Sequence, residues 1–184
     1  LLGSHVIASS MAANGIKRIH IFPGGTIGPV LDIVHNWNIE IFTTRHEQAA
    51  GYAALGMAKL TGKPQVVMVT SGPGVTNVLT PIADAYFDSI PIVVLTGQVA
   101  TGDMKHDLPV RQRGFQETPT VDIVKPLSKY ATCLLSIENV YINVPIAFDL
   151  TMAGRRGPSV IDFPMDIQRS EINKVANIPD EACD

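Results

Sequence analysis

The chain has 184 residues, 46% hydrophobic and 17% charged, enough apolar side chain to core one domain of slightly more than ordinary size. Its net charge of −3 and scattered Lys and Arg argue against a nucleic-acid partner, because neutralising a phosphate backbone takes clustered cations. No apolar run approaches the roughly 18 residues of a spanning helix, so no membrane partner is expected. The beginning, Leu1-Leu2-Gly3-Ser4-His5, lacks the basic and apolar regions of a signal peptide. Cys133 and Cys183 lie far apart without a CxxC, which disfavours structural zinc and suits reduced thiols in a cytoplasmic protein.

Apolar residues at helical spacing run from Val6 to Asn14, and Asn14-Gly15 marks the exit. Ile16 to Phe22 is β-rich and stops at Pro23-Gly24-Gly25. Ile27 to Trp37 has helical period, with Pro29 tolerable in a first turn. Ile39 to Phe42 predicts a second strand that feeds a helix from Glu47 to about Leu60. Thr44 and Glu47 have the spacing of a capping box, and a first-turn Glu is favoured by the helix dipole in any case. That helix carries Ala49, Ala50, Gly51, Ala53, Ala54, Gly56 and Ala58. So small a surface admits another helix or a ligand, and its apolar part is expected to drive dimerisation.

Gln65 to Thr70 is near-continuously apolar, as a strand buried on both faces of a parallel sheet must be. A glycine-rich turn, Ser71 to Asn77, then leads into a helix to about Phe87 and a strand from Ile90 to Thr96. This repetition predicts an α/β fold: a doubly wound, mainly parallel sheet with helices on both faces. Function in such folds sits at the carboxyl ends of strands. Pro23-Gly24-Gly25, Arg45-His46-Glu47, Ser71 to Gly74 and Gly97-Gln98 all fall there. The pattern lapses from Val99 to Thr118, a loop long enough to expect a function. Val121 to Lys125 reads as a helical turn, Leu127 to Ala131 as a strand, Ile137 to Met152 as a helix and Val160 to Phe163 as the last strand. Residues 1–170 are expected to form the domain and 171–184 to start a linker.

Neither glycine turn is a dinucleotide or Walker fingerprint, since Gly24-Gly25-Thr26-Ile27-Gly28 and Gly62-Lys63-Pro64 have the wrong spacing. His46 beside Glu47 has no second ligand at metal-binding spacing, so no metal residue is assigned. Seven motifs taken together are more telling. They are Pro23-Gly24-Gly25, Arg45-His46-Glu47-Gln48-Ala49-Ala50, Thr70 to Asn77, Asp88-Ser89-Ile90-Pro91, Thr96-Gly97-Gln98, Phe115-Gln116-Glu117 and Gly157-Pro158. In this order they resemble the N-terminal pyrimidine-binding (PYR) domain of thiamine diphosphate-dependent enzymes, and within them the catalytic subunit of the acetolactate (acetohydroxyacid) synthases. The resemblance runs from about Gly3 to Ser170.

The resemblance implies the thiamine diphosphate-binding fold and a catalytic role for Glu47. In this family a buried carboxyl hydrogen-bonds N1′ of the aminopyrimidine and favours the imino tautomer, whose exocyclic nitrogen removes the thiazolium C2 proton. A carboxyl at the wall of an apolar helix pair is suited to sharing that proton. A 2-keto acid such as pyruvate is then decarboxylated and its product joined to a second 2-keto acid. The same resemblance implies that Gly24, Gly25, Pro73, Asn77 and Gln116 lie near the cofactor. It places Phe115 on the substrate side, Ser89 and Lys129 along substrate access at a subunit interface, and Arg155 against a flavin (FAD).

Two features depart from the family pattern. Met165 stands before Asp166-Ile167-Gln168 where a substrate-side lysine is usual, and the loop between Gln98 and Phe115 is longer than the common form. Both favour, as an alternative, another thiamine diphosphate-dependent 2-keto acid decarboxylase, lyase or hydrolase. A non-catalytic α/β assembly module, with Glu47 only a helix-start residue, is the reading from another class. The family's Mg²⁺ and diphosphate are held by a Gly-Asp-Gly motif in a separate diphosphate (PP) domain, and no Gly-Asp-Gly occurs here. The expected partner is therefore the PP domain of a second subunit in a homodimer or homotetramer, and this chain alone is expected to be inactive.

Overall fold

The computed structural model describes residues 1–172, so the expected linker lies almost wholly outside the described residues. The first half runs α1 (Gly3–Ala13), β1 (Arg18–Ile21), a 3-10 turn (Gly25–Ile27), α2 (Gly28–His35), β2 (Glu40–Thr43), α3 (Glu47–Thr61), β3 (Gln65–Val69) and α4 (Pro73–Phe87). The second half runs β4 (Ile92–Gln98), a 3-10 turn (Thr101–Asp103), α5 (Thr120–Val124), β5 (Tyr130–Cys133), α6 (Ile137–Met152), β6 (Ser159–Pro164) and α7 (Met165–Arg169). Among the described residues the strands form one six-stranded sheet in the order β2-β1-β3-β4-β6-β5, and every pairing is parallel. Strand order reverses between β1 and β3, the kind of switch point at which open α/β sheets bind ligands.

Alternation along each strand feeds two cores. Val66 and Met68 of β3 face α1, α2 and α6, packing with Ile7, Met11, Val30, Val144 and Phe148. Val67 and Val69 face the other way, onto Ala54 and Leu55 of α3 and Val78 and Ile82 of α4. Burial on both faces explains why β3 and β4 read as unbroken apolar runs rather than as alternating ones.

Some boundaries move. α4 begins at Pro73, inside the expected turn, because Gly72 takes a left-handed φ of 64° and proline at the first helical position needs no amide partner. β5 lies about three residues beyond its expected start, and α7 was not anticipated; it starts on the residue after β6. The expected dimer surface on α3 is partly used up inside the chain. Ala50, Gly51, Ala54 and Ala58 are buried, and Gly51 lies so close to Pro81 of α4 that a Cβ would stand 2.3 Å from the ring. Ala49, Tyr52, Gly56 and Leu60 remain exposed on the outer side of α3.

Candidate active site

Glu47 is the first residue of α3 and only 4% exposed. The expected capping box is not formed. His46 is the N-cap, and its Nδ1 accepts the Gln48 amide at 3.1 Å. The Thr44 hydroxyl instead lies 3.0 Å from the Ile21 carbonyl and 2.9 Å from that of His46, tying the end of β1 to the start of α3. With the cap at His46, Glu47 sits too early in the helix to reach back to it, and its side chain turns inward to α4. There Asn77 Nδ2 donates to Glu47 Oε2 at 2.9 Å. No described residue donates to Oε1. Pro81, four residues after Asn77, cannot bond the Asn77 carbonyl, and its ring against Gly51 sets how closely the two helices bring Glu47 and Asn77 together.

Beside this pair, the turns after β1 and β3 meet with no room for side chains. A Cβ on Gly24 would stand 2.4 Å from the Thr70 Cβ, and one on Gly97 would stand 2.1 Å from the Thr26 hydroxyl. The hydroxyls of Thr26 and Thr70 bond each other at 2.8 Å, the Ser71 amide donates to Thr26 Oγ1, and the buried Gln168 donates to the Thr26 carbonyl. Gly25 differs, since a Cβ there would meet nothing within 4 Å. The next wall is Gln116, at a φ of 62°. Its Cβ would lie 2.7 Å from a Cβ on Gly72, so Gln116 closes over the turn that starts α4. Phe115 beside it is 83% exposed, and Met165 caps the end of β6 at the same edge of the sheet. Glu117 braces the loop by accepting the amides of Lys105 at 2.7 Å and Arg113 at 2.8 Å. Burial opposes its charge, but the amide donors hold its carboxyl below the usual range.

Glu47, Gly24, Gly25, Pro73, Asn77, Phe115, Gln116 and Met165 thus gather at the carboxyl ends of the strands. Ser89, Lys129 and Arg155 do not join them; they precede β4, β5 and β6 and lie at the opposite end of the sheet. There Arg155 donates to the Ser89 hydroxyl at 2.8 Å and to the Phe87 carbonyl at 3.0 Å. Lys129 reaches the carbonyls of Leu150 and Ala153 at the end of α6, and burial lowers its pKa. Lys129, Arg155, Arg156, Tyr86 and Phe87 line a cavity of about 440 Å³.

Sequence reasoning set Gln98 in a strand-end motif without giving it a role, and it passed over Asp162. Asp162 sits in β6, 3% exposed, where burial pushes its carboxyl up to about 6 against the hydrogen bonds of Thr96 and Gln98. A signal was present: a carboxylate inside Val160-Ile161-Asp162-Phe163, a run otherwise apolar on both faces, has to be held by donors. Among the described residues no group of three or more His, Cys, Asp or Glu is arranged to hold a metal ion.

Residues 2–125 match the family described as thiamine pyrophosphate enzyme, N-terminal TPP binding domain. The chain belongs to that family. Its PYR domain is 40% identical over 168 residues to the mitochondrial acetolactate synthase catalytic subunit of Saccharomyces cerevisiae, covering 91% of this chain and 24% of that protein. It is 42% identical over 168 residues to the acetolactate synthase isozyme 3 large subunit of Escherichia coli, covering 91% of this chain and 28% of that one. With the acetolactate synthase large subunit of Lactococcus lactis subsp. lactis it shares 40% identity over 174 residues, 94% of this chain and 29% of the relative. The chain spans less than a third of the length of each of these relatives. No described helix is long and apolar enough to cross a membrane.

The site suits the aminopyrimidine of thiamine diphosphate. A flat ring bonded through its N1′ nitrogen needs one acidic partner out of water and close backbone approach, and the site offers the free Oε1 of Glu47 and the open backbone at Gly25.

Proposed function

We propose that this domain belongs to an acetolactate synthase-like carboligase that decarboxylates a 2-keto acid, pyruvate first, and joins the product to a second 2-keto acid. The observation that carries this reading is the buried Glu47 carboxyl, held at one oxygen by Asn77 and free at the other. Bound thiamine diphosphate would supply a carbon nucleophile and an electron sink. Glu47 Oε1 would hold or return the proton at the pyrimidine N1′, and Asn77 would fix which oxygen is free to do so. Gly25 would let the backbone lie against the ring, Gly24 would seat that turn on Thr70 beside it, Pro73 and Gln116 would border the ring, and Phe115 would screen the substrate side from water.

Mg²⁺ and the diphosphate are assigned to the PP domain of a second subunit, which makes a homodimer or homotetramer the working assembly. The exposed side of α3, with Tyr52 and Leu60, supports such a contact. FAD at Arg155 belongs to the same proposal, as do access roles for Ser89 and Lys129. In the domain itself these three stand at the far end of the sheet from Glu47, so any such role runs through another domain or subunit. The cytoplasmic location expected from the thiols is not supported by relatives whose names include mitochondrial enzymes.

Met165, where the family's lysine is usual, favours a second reading: another thiamine diphosphate-dependent decarboxylase, lyase or hydrolase. Assay of the full-length protein with pyruvate decides between them, since acetolactate supports the carboligase and acetaldehyde or no turnover supports the alternative. Glu47→Gln should lower kcat by at least about a hundredfold, the usual worth of a positioned acid-base group. Retention of most activity would leave only the assembly-module reading.

A further inference from the structure

We propose that Gln98, anchored on the buried carboxylate of Asp162, is a positioning residue that holds the Phe115-Gln116 loop over the start of α4. The inference rests on the reading of Gln116 and Phe115 as cofactor and substrate neighbours. Asp162 pairs in register with Thr96 of β4 and Cys133 of β5. Its Oδ1 accepts the Thr96 hydroxyl at 2.6 Å and its Oδ2 accepts Gln98 Nε2 at 2.8 Å. The same Nε2 donates to the Thr118 carbonyl at 2.8 Å, while Gln98 Oε1 accepts the Val99 amide at 3.0 Å. Every polar atom of the Gln98 amide is thus committed, which fixes its orientation.

From there the chain of contacts continues toward Glu47. The Thr118 hydroxyl donates to the Gln116 carbonyl at 3.2 Å. Gln116, in a left-handed conformation that favours glycine, is kept against Gly72, the N-cap of the helix that carries Asn77. A long loop, otherwise bound mostly within itself, is therefore tied to the rigid sheet at the carbonyl two residues beyond Gln116. Ordinary core packing does not call for this arrangement. Apolar side chains would fill the sheet at Asp162 and Gln98 at lower desolvation cost, but they could not reach out to a loop carbonyl.

The test uses the full-length enzyme and the variant Gln98→Met, which keeps the length and removes the donor. Hydrogen exchange of the Gly114–Thr118 amides should quicken about tenfold, as one lost hydrogen bond allows, while α1 and β1 stay protected. With pyruvate, kcat/KM should fall by about tenfold, and Gln98→Met combined with Gln116→Ala should be no slower than Gln116→Ala alone. Unchanged exchange in the loop overturns the proposal, and so do effects that multiply in the double variant, since a purely structural Gln98 would produce them. If the unaltered enzyme fails to consume a 2-keto acid, the proposed function falls and loop exchange alone decides the role of Gln98. Asp162→Asn, equal in size but with a donor in place of one acceptor, takes the same measurements should Gln98→Met not fold.

Discussion

Asn77 and Glu47 illustrate how one hydrogen bond can define a reactive group. The carboxyl is removed from solvent by the packing of α3 on α4, and the Asn77 amide occupies one of its oxygens. Truncating the donor leaves a buried acceptor without its partner, at a cost of about 1–3 kcal/mol. Asn77→Ala should lower the thermal midpoint accordingly. Asn77→Asp should lower it further at neutral pH, because two carboxylates at hydrogen-bond distance cannot both stay charged. Differential scanning calorimetry of the two variants checks that order, and an Asp variant as stable as the native protein would contradict the assignment. The sequence places Glu47 at the start of a helix, yet its cap was misread. Whether Thr44 or His46 closes the turn depends on where β1 ends in space, and three-residue spacing carries no information about that.

At the scale of elements, the α3–α4 contact has the most direct bearing on the site, and two glycines of one helix test it. A Cβ at Gly51 would be 2.3 Å from Pro81, a ring that cannot turn aside, whereas a Cβ at Gly56 would meet nothing within 4 Å. Alanine gains about 1 kcal/mol over glycine in a helix interior. Overpacking costs about 1–3 kcal/mol. Gly56→Ala should therefore raise the thermal midpoint and Gly51→Ala lower it. Gly51→Ala should also reduce activity, since it displaces Glu47 from Asn77. Equal effects at both positions would mean that the helices are not in close contact at Gly51. Composition marks this helix as small-residued, but only the packed structure separates the residues that meet α4 from those left outside.

For the whole molecule, two buried groups act on acid stability in opposite senses. His20 in β1 is 1% exposed, and among the described residues neither of its ring nitrogens has a hydrogen-bond partner. Burial, helped by the charge of Arg18, lowers its pKa from 6.5. Below about pH 6.5 the unfolded chain takes up a proton that the folded one refuses, so this group removes stability as pH falls. Asp162 keeps its proton up to about 6 instead of 3.8. The folded state then binds the extra proton, and this group adds stability as pH falls through that window. His20→Phe preserves the edge contact with the Phe42 ring and removes only the opposing term. The variant should be more stable than the native protein at pH 7.5, and its advantage should widen at pH 5. Thermal midpoints at the two pH values measure this, and an advantage that shrinks on acidification would be incompatible with a buried neutral His20.

The alternation of buried strands with helical stretches, and the glycine turns after β1 and β3, are local patterns. They determine an α/β sheet with its functional edge at the strand ends, because period and turn chemistry depend on neighbours in the chain. Gly24, Gly25, Glu47 and Pro73 could be placed at that edge for the same reason, since each sits at a turn that follows a strand, whereas Asn77 and Gln116 were pointed to only by the family resemblance. Tertiary structure alone decided that Ser89, Lys129 and Arg155 stand at the other end of the sheet. It alone joined Asp162 to a loop 44 positions earlier through Gln98. Strand order settles such matters, and it arises from which faces bury each other most completely, a property of the assembled layers that no single stretch of sequence carries.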